Sequence, residues 1–206
     1  MIYENVVQRS KEWYALRIGR ITASNFHKVN TGGEKTWASL IQSLNHPKEF
    51  YSKHTEWGKD YEDEAVNLFE FLHGVDTKKV GFITHDTLMA GCSPDFIVSP
   101  TVGGEVKCPS NPVNHTAVLI SREVPKQYIA QVQGSMWITG ASEWWFLSYD
   151  PRQTPDNRLV SLLIKRDNAF IERLEKKVIN FLDVWKNGTD ISKHFCNIEG
   201  VLPKLF

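Results

Sequence analysis

The sequence has little of what marks disulfide scaffolds, membrane proteins or strongly basic proteins. Its 206 residues contain three cysteines and no CxxC pair, which favours a reducing compartment and gives neither a disulfide framework nor a zinc site. No apolar run approaches the length of a membrane span, and the first ten residues lack the apolar core of a signal peptide. We therefore expect a soluble cytoplasmic protein that makes no contact with a membrane.

The sequence also lacks an excess of charge of either sign. Lysine and arginine total 24, and aspartate and glutamate also total 24. No overall positive field would therefore attract nucleic acid, and any surface that binds it must be local. With 41% hydrophobic and 23% charged residues, the chain is long enough for one sizeable core, and we expect a single domain over residues 1–206.

Helix and strand patterns alternate along the chain. Helical periodicity predicts helices at 57–73, 125–139 and 167–185, and β-rich runs predict strands at 80–84, 88–91, 143–149 and 158–165. The glycine-containing segment 30–36 is predicted to be a loop, and residues 111–125 are predicted to be irregular. Helices before and after a central mixed β-sheet indicate an α/β architecture.

The most informative stretch is a predicted hairpin. Phe96–Val98 favours a strand, residues 99–104 a reversal, and Glu105–Lys107 the start of a second strand. Because side chains alternate along a strand, Glu105 and Lys107 should share one face.

The chemistry of this hairpin depends on three side chains. A hairpin would bring Asp95 opposite Glu105 and Lys107, with Val106 pointing into apolar packing. Two carboxylates and an ammonium group that converge can hold a hard divalent cation and leave a basic group beside its bound water. Taken singly, Asp95 is equally typical of a turn, and Glu105 with Lys107 of an ion pair on a solvated sheet face. Taken together, they indicate metal-assisted hydrolysis.

Polar residues on three predicted helices are further candidates. Glu62 leans toward the apolar stripe of its helix, so it needs a partner, either a metal site or an arginine or backbone amide. Ser24 or Thr22 can cap a helix that follows Arg17, and that helix start is either a plain cap or a phosphate site. Gln131 lies on a polar stripe and either points into a cleft or faces solvent.

Pro94-Asp95 followed by Glu105-Val106-Lys107 resembles the PD-(D/E)XK nuclease signature. Other motifs, in order, are similar to those of the bacteriophage lambda-type exonucleases, the YqaJ-like viral recombinase family, over residues 9–165. They are Leu16-Arg17-Ile18-Gly19, Ile21-Thr22-Ala23-Ser24, Trp57-Gly58-Lys59, Tyr61-Glu62, Cys92-Ser93, Cys108-Pro109, Ala130-Gln131-Val132-Gln133, Ser135-Met136-Trp137 and Tyr149-Asp150-Pro151-Arg152.

This resemblance implies a restriction-endonuclease-like fold with a central mixed β-sheet flanked by helices. It also implies a processive 5′-to-3′ exonuclease that acts on double-stranded DNA ends and uses Mg²⁺, with Mn²⁺ as a substitute. The metal ligands would be Asp95, Glu105 and the Val106 carbonyl, with Lys107 acting on the attacking water and Glu62 supporting the metal site. The 5′-terminal phosphate would be bound by Arg17, Ser24, Ser93 and Gln131.

The family resemblance further implies a ring-shaped homotrimer, a single-strand annealing protein as partner, and a phage or prophage protein in a bacterial host. Residues 30–34 lack the basic residue that helps lambda-type enzymes separate the DNA end. The alternatives are an endonuclease or resolvase of the same superfamily, or an inactive scaffold that binds DNA ends. A glycosidase with a carboxylate pair would give Lys107 no role.

Overall fold

The computed structural model describes residues 1–46 and 53–188. Within these ranges the chain forms seven α-helices and eight β-strands. In chain order they are β1 (Ile2–Tyr3), α1 (Lys11–Arg17), β2 (Ile21–Thr22), α2 (Phe26–Thr31), α3 (Glu34–Asn45), α4 (Lys53–His73), β3 (Phe82–Thr84), β4 (Ala90–Cys92), β5 (Phe96–Ser99), β6 (Val102–Lys107), α5 (Pro112–Ser121), α6 (Lys126–Thr139), β7 (Glu143–Tyr149), β8 (Leu159–Lys165) and α7 (Asn168–Gly188). No helix in these ranges is long and apolar enough to cross a membrane.

The larger sheet is mixed, as the sequence predicts, and has the strand order β5-β6-β7-β8. The β5–β6 and β7–β8 pairs are antiparallel, whereas β6 and β7 are parallel. Parallel neighbours need a crossover connection, and here α5 and α6 provide it. The β5–β6 hairpin is therefore fixed on one side by a strand that comes much later in the chain.

Both faces of the larger sheet are covered by helices. On one face Phe69 of α4 packs in a cluster with Val106 and Leu147. On the other face Val132 of α6 packs in a cluster with Phe146 and with residues of α5. Glu105 is the register partner of Phe146, so the Glu105 side chain lies on the face that α5 and α6 cover.

A second sheet has the order β1-β3-β4-β2 and packs against α2, α6 and α7. Strand β4 ends at Cys92 and β5 begins at Phe96. The link between the two sheets is therefore Ser93-Pro94-Asp95. This link carries two of the predicted site residues, Ser93 and Asp95, into the region between the sheets.

Three local predictions are wrong. Residues 111–125 contain a helix, α5, which begins after Asn111 caps the amide of Val113. Segment 30–36 is not a loop, because α2 runs to Thr31 and α3 begins at Glu34. The second hairpin strand begins at Val102 rather than Glu105.

The glycines before Glu105 explain the error in the hairpin. A Cβ atom at Gly104 would lie 2.0 Å from the Phe96 ring, and one at Gly103 would lie 2.5 Å from the Trp144 ring. These glycines therefore serve close packing of aromatic rings over a strand, not reversal of the chain. The reversal needs only Pro100 and Thr101, between the two strands.

Candidate active site

The β5–β6 hairpin brings Asp95 beside Glu105. The Asp95 amide donates to the Gly104 carbonyl at 3.1 Å, which continues the antiparallel register of Phe96 with Gly104. The Asp95 carboxylate accepts a hydrogen bond of 2.6 Å from the Val106 amide. A backbone donor thus fixes the Asp95 side chain across the hairpin, as the predicted geometry requires.

The Glu105 carboxylate is almost fully buried and has two side-chain donors. Its side chain is 5% exposed. The Lys107 ammonium and the Gln131 amide each donate to the same Glu105 oxygen, Oε1, at 2.5 Å. Lys107 also lies over the ring of Tyr128, 5.0 Å from its centroid. One strand and one helix, β6 and α6, therefore define the position of Glu105.

The surroundings of Asp95 and Glu105 carry an excess of negative charge. Burial raises the pKa of Asp95 well above its ordinary value, and the charges of Glu105 and Glu62 raise it further, while Lys107 acts in the opposite direction. Burial lowers the pKa of Lys107, but the nearby carboxylates Glu105 and Asp95 outweigh burial, and the net shift is upward. Additional positive charge at this point would stabilise the site.

The donor set fits a hard divalent cation. Asp95 and Glu105 supply carboxylate oxygens, and the Val106 carbonyl is the third predicted ligand. Among the described residues, no group of three or more His, Cys, Asp and Glu side chains is placed to hold a metal ion. Mg²⁺ commonly binds through one or two carboxylates and keeps several waters, so two carboxylates with excess negative charge are a sufficient site for it.

Glu62 of α4 has the arginine partner that the sequence left open as an alternative. Arg9 Nη2 lies 3.3 Å from Glu62 Oε2, and the Glu62 side chain is 19% exposed. Glu62, Arg9 and Asp95 line one cleft of about 370 Å³. Arg9 has a left-handed φ of 70°, and the preceding Gln8 anchors this segment by donating to the Pro94 carbonyl at 2.8 Å. Glu62 therefore faces the same cleft as Asp95.

Three of the four predicted phosphate-binding residues are connected through Thr22 and Trp13. The Arg17 guanidinium stacks on Trp13, 4.0 Å from the ring centroid, and donates to Thr22 Oγ1 at 3.3 Å. The Thr22 and Ser24 hydroxyl oxygens are 3.1 Å apart. Trp13 Nε1 donates to Ser93 Oγ at 2.9 Å. Gln131, the fourth predicted residue, hydrogen-bonds to Glu105 and to none of these three.

Arg17 has no acidic partner in the described part of the chain, where its hydrogen bond goes to a hydroxyl. Burial lowers the pKa of Arg17 to about 10, which still leaves it protonated at neutral pH. Thr22 occupies the N-cap position of the 3-10 turn Ala23–Asn25 but makes no side-chain capping hydrogen bond. The prediction that Thr22 or Ser24 caps the helix is therefore wrong, since the Thr22 hydroxyl contacts Arg17 and Ser24 and the N-cap of α2 is Asn25. A partly buried cation without a carboxylate is suited to an external anion.

Sequence reasoning missed Trp13, Arg9 and Tyr128. Trp13 lies four residues before Arg17 on α1, a spacing that places two side chains on the same helix face and that could have revealed the pair. Tyr128 lies three residues before Gln131 on α6, so the same spacing rule places it on the polar stripe of Gln131. No comparable local pattern links Arg9 to Glu62, which is far from it in the sequence.

The sequence model of the YqaJ-like viral recombinase domain matches residues 12–142, more than half of the chain. This chain belongs to the YqaJ-like viral recombinase family. The match covers most of α1, strands β2 to β4 of the smaller sheet, the β5–β6 hairpin and α6, so it includes every predicted site residue. It confirms the family resemblance that the motifs indicate.

Solved structures of similar proteins have the same fold. The alkaline exonuclease LHK-Exo from Laribacter hongkongensis superimposes with a TM-score of 0.82 at 28% identity, over 91% of this chain and 98% of that one. Its complex with dAMP gives the same TM-score at 31% identity. The uncharacterised protein ExoD of Escherichia coli strain K12 is 33% identical over 60 residues, which are 29% of this chain and 68% of ExoD. The predicted α/β fold with a mixed sheet flanked by helices is confirmed.

Proposed function

We propose that this family member is a metal-dependent deoxyribonuclease that digests one strand of double-stranded DNA from its 5′ end. The product would be a 3′ single-stranded overhang for phage-type recombination. The observation that carries the proposal is the convergence of Asp95, Glu105 and Lys107 at one end of the hairpin. Similarity to an alkaline exonuclease over nearly the whole chain supports it.

Asp95, Glu105 and the Val106 carbonyl would hold Mg²⁺, and Mn²⁺ would substitute for it. When bound, the cation supplies Lewis-acid stabilisation of the phosphate and a more acidic bound water. Glu62 faces the same cleft as Asp95 and would support the cation or its waters. Burial, and then the charges of Glu105 and Glu62, raise the pKa of Asp95, and a cation would offset this negative charge.

Lys107 would orient the attacking water and stabilise negative charge on the phosphate. From its position beside Glu105, Lys107 would either take the proton of the attacking water or stabilise the charge that develops. Water adds to phosphorus as the bond to the 3′ oxygen breaks. The released nucleotide then carries a 3′ hydroxyl, and the next nucleotide on the strand carries a new 5′ phosphate.

Arg17, Ser24 and Ser93 would bind the terminal 5′ phosphate. Within residues 1–46 and 53–188 the arginine has no acidic partner, and the two hydroxyls are linked to it through Thr22 and Trp13. A guanidinium and hydroxyl donors are the groups that phosphate oxygens prefer. The predicted phosphate contact of Gln131 remains a prediction, since its amide is bound to Glu105.

A ring-shaped homotrimer and a single-strand annealing partner complete the proposal. A ring would reconcile a net charge of zero with DNA binding, because only its inner wall needs to be basic. Enclosure of the duplex would provide processivity.

The test is digestion of linear duplex DNA that carries a 5′ phosphate and a label at either end, next to a covalently closed circle, with Mg²⁺ or EDTA. We expect Mg²⁺-dependent loss of nucleotides from the 5′ end and an intact circle. The matched control variant is Lys176→Ala, an exposed lysine paired with Glu172. Cutting of the circle would indicate an endonuclease, and no cleavage with any divalent ion would indicate a DNA-end-binding scaffold.

A further inference from the structure

Two residues of α6, Tyr128 and Gln131, face the strand β6 that carries Glu105 and Lys107. Gln131 donates to Glu105, and the ring of Tyr128 lies under the Lys107 ammonium, 5.0 Å from its centroid. One helix face thus contacts both polar side chains of β6. Gln131 contacts Glu105, which is a predicted metal ligand, whereas the β6 side chain that lies over the ring of Tyr128 is Lys107.

The Tyr128 ring is fixed by its own contacts. Its centroid is 5.6 Å from that of Phe146, which is 1% exposed and is the register partner of Glu105. The Tyr128 amide donates to the Pro125 carbonyl at 2.8 Å in the first turn of α6. The ring is therefore a rigid surface whose position is set by the same strand pairing that sets Glu105.

Lys107 needs such a surface. Its flexible side chain has many rotamers and is still 26% exposed, and its charge is held on one side by a single Glu105 oxygen. A metal ion held by Glu105 would compete with Lys107 for the carboxylate oxygens. An aromatic face attracts an ammonium group without competing for carboxylate oxygens.

We propose that Tyr128 is a positioning residue that holds the Lys107 ammonium toward the reacting phosphate through the face of its ring. This inference rests on the proposed function, because it gives Lys107 a role in hydrolysis. The ring, and not the hydroxyl, carries the effect. Among the described residues none hydrogen-bonds to the Tyr128 hydroxyl, so the hydroxyl is not needed to hold the ring in place.

The experiment compares Tyr128→Leu, Tyr128→Met and Tyr128→Phe by kcat and KM on 5′-phosphorylated duplex DNA. Leu and Met fill much of the space beside Phe146 but remove the ring, and we expect kcat to fall about 10-fold with KM unchanged. Phe restores the ring, and we expect it to recover most of kcat. The matched control is Gln127→Ala, because Gln127 is the exposed neighbour in the same helical turn. Melting temperatures measured in parallel identify any variant that is unfolded.

A second measurement separates positioning from general packing. In a Lys107→Ala background, Tyr128→Leu should cause no further loss of residual activity, because the group that the ring holds is absent. Additive losses in this double-mutant cycle would overturn the inference, as would a Phe variant as slow as Leu or a change confined to KM. If the wild type fails to cleave DNA, or Lys107→Ala keeps full activity, the proposed function itself is wrong, and this outcome is distinct from failure of the Tyr128 variants.

Discussion

The clearest prediction concerns the recognition of a 5′ phosphate by Arg17. We expect Arg17→Gln to slow the digestion of 5′-phosphorylated duplex DNA much more than that of duplex DNA with a 5′ hydroxyl. The reason is structural: the guanidinium is stacked on Trp13 and bonded to the Thr22 hydroxyl, and no acidic side chain in the described ranges competes with a phosphate for it.

The expected loss in kcat/KM follows from the charge of the Arg17 guanidinium. A hydrogen bond to a charged group contributes about 1.5–3 kcal/mol, and a tenfold change in rate corresponds to about 1.4 kcal/mol. Loss of one such bond should therefore lower kcat/KM for the phosphorylated end roughly 10- to 150-fold. Although burial lowers the pKa of Arg17 to about 10, the group is almost fully protonated at pH 7.5, so the full charge is present in the assay.

The assay measures kcat/KM for two duplexes that differ only in the terminal phosphate, with wild type, Arg17→Gln and the control Arg20→Gln. Arg20 is three residues away, is partly buried, and donates to the Leu16 carbonyl at 2.8 Å, so its loss tests for a general effect of arginine removal. An equal loss on both duplexes for Arg17→Gln would refute phosphate recognition and point to a structural role. An equal loss for both variants would refute the selectivity of the pocket.

Three further outcomes are expected. Lys107→Ala should fold and bind DNA normally but lose at least about 100-fold in turnover, as measured by nuclease assay and gel shift; near-normal activity would exclude its proposed role. In EDTA, Asp95→Asn should melt at a higher temperature than wild type, because it removes a carboxylate whose charge is disfavoured by burial and by the charges of Glu105 and Glu62. Added Mg²⁺ should then raise the melting temperature of wild type only, and an equal rise in the variant would contradict a metal site at Asp95. Asp150 is fully buried, and burial by itself would raise its pKa. The hydrogen bonds that Arg152 donates at 2.7 and 2.9 Å outweigh burial, and the pKa of Asp150 is lowered. A lowered carboxyl pKa stabilises the fold at pH values above the ordinary pKa of about 4. Asp150→Asn should therefore lower the free energy of unfolding by about 2 kcal/mol at pH 7 and by progressively less as the pH falls through the acid range. A loss of stability that does not depend on pH would refute the ionic role.

The parts of the site that lie close together in the sequence were predictable. Asp95 directly precedes the first strand of a hairpin and Glu105 lies on the second strand, so the local hairpin pattern was sufficient to bring them together. Glu62 was also predictable as a residue that needs a partner, because helical periodicity turned it toward the core. The sequence alone could not choose between an arginine and a metal as that partner, since the choice depends on where the distant Arg9 lies.

The rest of the site depends on contacts between distant elements. Periodicity put Gln131 on a polar stripe, but only the docking of α6 on the sheet makes Glu105 its partner and brings Tyr128 against Lys107. Helix α5 was missed because the residues that begin it, Asn111 as cap and Pro112 as first residue, are equally typical of turns and loops. Local patterns therefore defined the acidic residues but not the groups that hold them.

The parallel pairing of β6 with β7 has a consequence for the order in which the enzyme folds. The β5–β6 hairpin is a local structure and can form early, whereas β7 can join β6 only after the whole crossover with α5 and α6 has docked, and such non-local pairing is slow. Tyr128 and Gln131 arrive with that crossover. We therefore expect partly folded and newly synthesised chains to be inactive even when both carboxylates are already in place, so that hydrolytic activity appears only with the last cooperative step of folding.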